Sequence, residues 1–396
     1  MNSNEIKTHD AECVMQTYGR YDAVIDRGEG ATLYSPEGKE YIDFTSGIGV
    51  ASIGYGNKKW ADAIYAQALK LQHISNLYYT EPYVKVAQEL TTRTGMKNVF
   101  FSNAGGEANE GMIKLARKYS FDKYGAGRST IISLEQSFHG RTITTLAATG
   151  QEVFHNYFFP FTEGFVHVPA NDIGALTDSL QSGGVCAVLV EIIQGEGGVL
   201  PLDAGYVKAV AELCAERDVL FLVDEVQTGV GRTGSLFAYQ QYDVCPDVVS
   251  FAKGIAGGLP MGGFMANEKC SAVLTPGTHA TTFGGNPVAA AGALVVLGQL
   301  DDAALAEVTK KGAYIIQTVK NWGLPTVGEV RGMGLMIGIP LIGAVPKEIA
   351  TKCVESGLLI LTAGDDALRM LPPLVITYEE LDKGLAVLKN VLTGIG

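Results

Sequence analysis

The sequence predicts an α/β protein with a large domain, whose mainly parallel central sheet is covered by helices, and a smaller α+β domain built from both ends of the chain. Its 396 residues are too many for one small module. In the middle of the chain, short apolar runs alternate with amphipathic stretches, as strands and covering helices do in α/β domains. We place the large domain at residues 66–290 and the two parts of the small domain at residues 1–65 and 291–396.

Five apolar runs are the predicted strands of the central sheet. They show no alternation with polar residues, which indicates strands buried on both faces. They cover residues 98–102, 130–134, 186–190, 220–223 and 248–252. Two stretches between them, residues 107–119 and 206–217, carry apolar side chains along one helical face and are predicted helices.

The two ends of the chain have a different pattern. Residues 29–44 predict a β-hairpin turned at residues 36–39, where Pro36 and Gly38 favour a turn. Near the other end, an Ala/Val/Leu-rich helix is expected to run from Pro287 to about residue 300, followed by a pair of strands near residues 327–339. These elements predict the smaller α+β domain.

Composition and charge exclude several classes of protein. The formal net charge of −12 argues against binding to nucleic acid or to an anionic membrane. The longest apolar runs fall short of the roughly 18 to 20 residues of a membrane helix, and residues 1–15 resemble neither a signal nor a transit peptide. The six cysteines and six histidines form no metal-binding spacing. We expect a cytoplasmic protein with reduced thiols and no metal.

Chemically distinct groups follow the five predicted strands, and the carboxyl ends of parallel strands are where such sheets bind ligands. In chain order, these groups are a glycine turn that opens a helix (residues 103–106), an aromatic with an arginine (Phe138 and Arg141), a first acid (Glu191), a second acid (Asp224) and an amine (Lys253). The pattern predicts one binding site at this edge.

Each of these groups also has an ordinary explanation when it is taken alone. The glycine turn at residues 103–106 is either an anion site or a plain strand-to-helix connection. Asp224 is either the partner of a cationic group or a helix N-cap, and Lys253 is either a Schiff-base amine or a solvated loop lysine. Together they supply the amine, the acid and the phosphate site that pyridoxal 5'-phosphate (PLP) requires.

A second glycine motif resembles that of dinucleotide-binding proteins but lies in the wrong context. Residues 229–234 match the GxGxxG pattern of dinucleotide-binding proteins. That pattern requires the glycines to lie in the turn that opens a helix, whereas here the following residues do not continue as a helix. A Rossmann dehydrogenase is therefore disfavoured.

The chain resembles the class III (ω-amino) aminotransferases of PLP fold type I, and within them it is most similar to the acetylornithine aminotransferases. The likeness runs from residues 18–20 to residues 371–374. It rests on the segments HISNLYY at 73–79, FHGRT at 138–142, QGEGG at 194–198, DEVQTG at 224–229, AKG at 252–254 and TFGGNP at 282–287.

The resemblance implies a role in cofactor binding for eight residues. Lys253 would hold PLP as a Schiff base and move the substrate proton, and Asp224 would pair with the ring nitrogen. Val226 and Phe138 would cover the two ring faces. The remaining contacts would be those of Gln227 near the ring hydroxyl, of Gly105 and Gly106 with the phosphate, and of Thr282 with the phosphate of the neighbouring subunit in a homodimer with shared active sites.

Substrate binding is implied for four further residues. Arg141 would bind a substrate carboxylate, and Tyr18 lies in the matching N-terminal segment. Glu196 would pair with Arg369 while an ω-amine is bound and release it when glutamate is bound.

The implied reaction transfers the amino group of N2-acetyl-L-ornithine to 2-oxoglutarate. It gives N-acetylglutamate 5-semialdehyde and L-glutamate, a step of arginine biosynthesis. The alternatives are another ω-amine (ornithine, succinylornithine, succinyldiaminopimelate or 4-aminobutyrate) or a PLP-dependent aminomutase. The sequence departs from the family pattern at Ala104 and Gly106 in the phosphate turn and at Ile192, where the family has a proline.

Overall fold

The computed structural model describes residues 1–394 of the chain. Its helices are α1 (Ser3–Cys13), α2 (Ser46–Gly49), α3 (Lys58–Lys70), α4 (Glu81–Thr94), α5 (Gly105–Tyr124), α6 (Ile143–Ala148), α7 (Ile173–Gln181), α8 (Ala204–Arg217), α9 (Pro287–Gln299), α10 (Asp302–Lys320), α11 (Pro346–Glu355) and α12 (Tyr378–Thr393).

The strands follow the same order along the chain. They are β1 (Arg27–Glu29), β2 (Thr32–Tyr34), β3 (Glu40–Asp43), β4 (Asn98–Ser102), β5 (Thr130–Leu134), β6 (Phe165–Val168), β7 (Val185–Val190), β8 (Ile193–Gln194), β9 (Leu200–Pro201), β10 (Leu220–Asp224), β11 (Val248–Phe251), β12 (Gly262–Ala266), β13 (Arg331–Met333), β14 (Met336–Pro340), β15 (Leu358–Leu359), β16 (Leu361–Ala363) and β17 (Ala367–Met370).

A seven-stranded sheet forms the centre of the protein, in the order β4-β12-β11-β10-β7-β5-β6. Strands β11, β10, β7, β5 and β6 pair in parallel, and only β12 runs antiparallel to its two neighbours in this sheet. Every residue of β7 and β10 is buried, as expected where helices cover both faces. The predicted α/β architecture with a mainly parallel central sheet is confirmed.

All five predicted strands of this sheet are present, but the prediction missed β6 and β12. Strand β6 lies at the edge and is only partly buried, so it lacks a continuous apolar run. Strand β12 begins with two glycines, which weaken a strand signal. A side chain at Gly263 would overlap the backbone oxygen of Phe100 on β4, so the close approach of these two strands requires glycine there.

Two smaller sheets are built from the ends of the chain. The predicted hairpin is confirmed as β2 and β3, closed by a turn in which the N–H of Ser35 donates to Lys39 O at 2.9 Å. Strand β15 pairs in parallel with β3, which joins the C-terminal region to the N-terminal one. The second small sheet has the order β13-β14-β17-β16.

This joining of the two ends supports the proposed small domain. Its bounds at residues 1–65 and 291–396, with the large domain at 66–290, stay a proposal. Gly396 and the residue before it lie outside the described part of the chain.

Helix α5 packs against the large sheet, and α9 packs against α3 and α4. The predicted helix at residues 107–119 is part of the longer α5, which buries Met112, Leu115 and Ala116. Helix α9 begins as predicted at Pro287, where the side chain of Asn286 accepts the N–H of Ala289 at 3.0 Å. Within residues 1–394, no single helix is long and apolar enough to cross a bilayer; α9 and α10 reach that length only together, across a 73° bend.

We predict that Phe251→Ala destabilises the protein by about 3–5 kcal/mol, because it opens a cavity in the core under the sheet. Phe251 is fully buried, and its ring lies 6.1 Å from that of Phe101 and 6.5 Å from that of Phe237. Denaturant unfolding of the apo-protein measures the change. Phe121→Ala is the control: Phe121 is 63% exposed, and we expect a change within about 0.5 kcal/mol. Equal effects of the two substitutions would contradict the prediction.

Candidate active site

A cavity of about 330 Å³ lies at the carboxyl ends of the parallel strands. Seven of the residues predicted for cofactor binding line it together: Gly105, Gly106, Phe138, Asp224, Val226, Gln227 and Lys253. They come from the end of β10, from the loops after β5, β10 and β11, and from the start of α5, which follows β4. Apart from Arg141, the structure therefore brings together the groups that the sequence predicted at the carboxyl ends of the strands.

Lys253 lies two residues after the end of β11 and lines the cavity from a strained backbone. Its φ of +46° is in the left-handed region, which residues other than glycine adopt at a cost of order 1–3 kcal/mol. Burial is the largest cause that lowers the pKa of its amine; Glu196 and Asp224 oppose the shift and Arg369 adds to it, and the resulting pKa is about 8. The amine of Lys253 is therefore far closer to neutrality than that of a solvated lysine.

Asp224 ends β10, and its buried carboxylate is held by donors from several elements. Oδ2 accepts the side-chain N–H of Asn109 at 2.7 Å and lies 2.8 Å from Nδ1 of His139. Oδ1 accepts the N–H of Val226 at 3.0 Å and the hydroxyl of Ser250 at 3.3 Å. A buried acid with such support is a fixed negative charge, suited to a cationic ring nitrogen.

The N-terminus of α5 forms the anion-binding side of the cavity. Its N-cap, Ala104, provides no side-chain hydrogen bond, so the first N–H groups of the helix, at Gly105 and Gly106, remain available to a ligand. A Cβ atom at Gly105 would lie 2.6 Å from Val226, so glycine is required for the close packing of the turn. At Gly106, a Cβ would meet Thr142 at an ordinary 3.6 Å, so this departure from the family pattern is not imposed by space.

These residues fit PLP. The cofactor presents an aldehyde, a ring nitrogen and a phosphate, which require an amine, a fixed acid and an anion site. The cavity offers Lys253, Asp224 and the uncapped start of α5, and the apolar side chains of Phe138 and Val226 line it as well.

Glu196 and Arg369 form the ion pair that the sequence predicted beside this cavity. Nη1 of Arg369 donates to Oε1 of Glu196 at 2.8 Å and to Oε1 of Gln227 at 3.1 Å. Arg369 is only 3% exposed. Although burial alone would raise the pKa of Glu196, Arg369 holds it below its usual range. Arg369 therefore contacts both an acid and a residue of the cavity.

Five of the predicted site residues are not part of the cavity lining: the Glu196–Arg369 pair beside it, and Arg141, Thr282 and Tyr18. The guanidinium of Arg141 stacks 4.0 Å from the ring centre of Phe154 and is exposed. Thr282 lines a separate cavity with Tyr79. Tyr18 is 73% exposed, with Arg20 over its ring at 5.7 Å. One chain alone does not bring these three side chains to the cavity.

The structure adds site residues to which the sequence assigned no role. Asn109, His139 and Ser250 hold Asp224, as described above. Glu191, which the sequence analysis noted only as a strand-end acid, accepts the N–H of Phe138 at 2.9 Å. Burial raises its pKa to about 7, against the opposing charge of His139. The signal for Asn109 is its position on the buried face of α5, one turn after the glycines.

Comparisons with known proteins agree with this geometry. Acetylornithine aminotransferase of Haemophilus ducreyi is 50% identical over 394 residues, which cover 99% of this chain and 100% of that protein. The protein of the same name from Caldanaerobacter subterraneus is 46% identical over 396 residues, covering 98% and 99%.

Solved structures agree as well. A crystal structure of ornithine aminotransferase from Toxoplasma gondii superposes with a TM-score of 0.95 at 31% identity, covering 100% of this chain and 96% of that one. That of acetylornithine aminotransferase from Elizabethkingia anophelis gives 0.88 at 32% identity, with both chains fully covered. The family model "Aminotransferase class-III" matches residues 14–392, so the chain belongs to the class-III aminotransferases, a family of PLP-dependent enzymes.

Proposed function

We propose that this enzyme transfers the ω-amino group of N2-acetyl-L-ornithine to 2-oxoglutarate, giving N-acetylglutamate 5-semialdehyde and L-glutamate. The observation that carries the proposal is the buried amine of Lys253, with its lowered pKa, in one cavity with Asp224 and the uncapped start of α5. The choice of substrate is supported by the full-length similarity to proteins named acetylornithine aminotransferase.

We assign PLP to the cavity, with the ring nitrogen at Asp224, the ring faces at Phe138 and Val226, and the phosphate at the start of α5. When bound, PLP supplies an aldehyde that takes up the amino group and a ring that withdraws electrons from the reacting carbon. Oε1 of Gln227 already accepts from Arg369, so a contact of Gln227 with the ring hydroxyl would fall to its NH₂ group.

Lys253 is the residue to which we assign the proton transfers. With its pKa lowered to about 8, Nζ takes a proton from the substrate carbon and returns one without a large energetic penalty in either direction near neutral pH.

Two arginines would allow one site to accept both substrates. In the described structure, Arg369 is neutralised by Glu196 at 2.8 Å, which suits an amino donor whose reacting carbon bears no carboxylate. Glutamate carries its carboxylate next to the amine, and it would displace Glu196 to reach Arg369. We assign the distant carboxylate of each substrate to the fork-shaped guanidinium of Arg141.

A homodimer is the assembly that we propose. The outlying positions of Thr282 and Tyr18 are those expected of residues that serve a shared site across an interface, and exposed aromatic residues such as Tyr79, which is 100% exposed, lie beside Thr282. We also propose a cytoplasmic location, since the six cysteines are free thiols in the described chain.

Ornithine is a second candidate for the amino donor. The observation that favours it is the TM-score of 0.95 to a structure named ornithine aminotransferase. The sequence identity to that protein is 31%, below the 50% and 46% to the acetylornithine aminotransferases, and we therefore rank ornithine second.

Half-reactions without an oxo acid separate these donors. We expect N-acetylornithine to bleach the absorbance of the PLP-loaded enzyme with a kcat/KM at least about tenfold above that of ornithine or 4-aminobutyrate. Stopped-flow absorbance provides the measurement. Faster bleaching by another amine would keep the aminotransferase and change the substrate. A requirement for 2-oxoglutarate in multiple turnover excludes an aminomutase.

The pH dependence of PLP uptake tests Lys253. Only the neutral amine attacks an aldehyde, so the rate of coupling to apo-enzyme should rise about tenfold per pH unit below the lowered pKa and level off above pH 8. A solvated lysine derivative, the reference, continues to rise towards about pH 10.4. The variant Lys253→Ala should show neither saturable coupling nor transamination. A plateau only above pH 10 would contradict the assignment.

Substitution of Arg141 tests the carboxylate site. Arg141→Lys keeps the charge but loses the bidentate geometry, so we expect the KM for N-acetylornithine to rise about 10- to 100-fold with a smaller change in kcat. Steady-state kinetics measures both constants. Arg27→Lys, which changes an exposed arginine stacked on Tyr34, is the matched control. An unchanged KM in Arg141→Lys would remove Arg141 from the site.

A further inference from the structure

We propose that Glu191 is a positioning residue. Its two carboxylate oxygens fix the backbone of Phe138, whose ring lines the cavity, and the loop that carries Glu196. The inference rests on the proposed function and deepens it, because it identifies what holds the Glu196–Arg369 pair in its closed arrangement. Nothing in the resemblance or the comparisons assigned a role to Glu191.

Glu191 stands between two loops that are far apart in sequence. It follows β7 directly, is 5% exposed and lines the cavity. Its Oε2 accepts the N–H of Phe138, in the loop after β5, at 2.9 Å. Its Oε1 accepts the N–H of Gly195, just before Glu196, at 3.3 Å. One side chain therefore ties both loops to the end of the same central strand.

The contact of Glu191 with Gly195 influences the positions of the two side chains that accept hydrogen bonds from Arg369. A side chain at Gly195 would overlap the amide group of Gln227, so the backbone of this loop lies directly on Gln227. Arg369 donates to both Gln227 and Glu196. A shift of Gly195 therefore moves one acceptor through the chain and the other through packing.

The contact with Phe138 controls a different part of the site. The ring of Phe138 packs edge-on against Phe154 at 5.8 Å and carries the guanidinium of Arg141 at 5.6 Å. If the N–H of Phe138 loses its hydrogen bond to Glu191, the backbone that positions this ring becomes less constrained. Phe138 faces the PLP ring in the proposed function, so its release weakens cofactor binding as well.

A carboxylate is the side chain that this position needs. Two backbone N–H groups converge on Glu191 from separate loops, and a carboxylate has an accepting oxygen for each. A glutamine of the same shape accepts with one oxygen and turns its NH₂ group towards the other N–H. Glu191→Gln therefore breaks one of the two contacts while it retains the volume and burial of the side chain.

Glu225 provides a matched control. It is also a fully buried acid at the carboxyl edge of the sheet, and burial raises its pKa to about 7. Its carboxylate accepts the hydroxyl of Thr228 at 2.5 Å and the N–H of Tyr239 at 2.7 Å. None of these three residues lines the cavity. Glu225→Gln therefore reports the general effect of replacing a buried glutamate at this edge.

The experiment compares the two half-reactions of the PLP-loaded enzyme in each variant. In Glu191→Gln, a loosened Glu196 exposes Arg369, which favours glutamate and disfavours the ω-amine. We expect the ratio of kcat/KM for N-acetylornithine to kcat/KM for glutamate to fall at least about tenfold, and the PLP dissociation constant of the apo-protein to rise at least about fivefold. In Glu225→Gln, both quantities should stay within about twofold of the parent.

Parental values of both quantities in Glu191→Gln would overturn the proposal, and so would equal shifts in Glu225→Gln. Should Glu191→Gln not fold, Glu191→Asp is judged by the same two criteria, because its shorter carboxylate keeps the charge but spans only one of the two N–H groups. A parent enzyme that does not react with N-acetylornithine refutes the proposed substrate alone. The PLP dissociation constants then decide on Glu191.

Discussion

The burial of the Asp224 carboxylate is the constraint on which the rest of the site depends. An uncompensated buried charge costs several kcal/mol, so the fold has to bring donors to it. Asn109 comes from α5, His139 from the loop after β5 and Ser250 from β11, where it is the register partner of Asp224. One charge therefore links the sheet register, the placement of α5 and the loop after β5, and a slip of β11 against β10 would remove the contact with Ser250.

The sequence predicts the centre of this fold better than its edges, for a physical reason. Strands such as β7 and β10 are apolar throughout because helices cover both faces, whereas β6 and the glycine-rich β12 lack that pattern. Lys253 and Asp224 were predictable because they lie at or just after the ends of buried strands. Asn109 was not assigned a role because its partner Asp224 lies far away in sequence. Glu191 was not assigned one because its partners are backbone N–H groups, which carry no residue-type signal.

Around Lys253, charges of both signs act on the amine, and burial is the largest influence on its pKa. Glu196 favours the protonated amine and Arg369 disfavours it, while these two side chains also bind each other at 2.8 Å. Asp224 and Glu191 also favour the protonated amine, but desolvation outweighs these acids and the pKa is lowered. In the proposed function, a substrate carboxylate would take the place of Glu196 at Arg369 when the pair opens, so one anion would replace another. The lysine would then experience a similar field in both half-reactions, which would allow a single base to serve two differently charged substrates.

The same reasoning explains how a chain with a net charge of −12 can take a phosphate ester and dicarboxylic substrates. At physiological ionic strength, exposed charges are screened beyond about 8 Å, so distant acids contribute little inside the cavity. Within that range, the uncapped start of the 20-residue α5 supplies positive potential, and the amine of Lys253 adds to it while it is protonated. The acids beside them, Asp224 and Glu191, are each engaged by at least two protein hydrogen-bond donors. The ability of the cavity to bind anions therefore depends on its own free N–H groups and on acids that are already hydrogen-bonded. The overall charge of the chain has little influence on it.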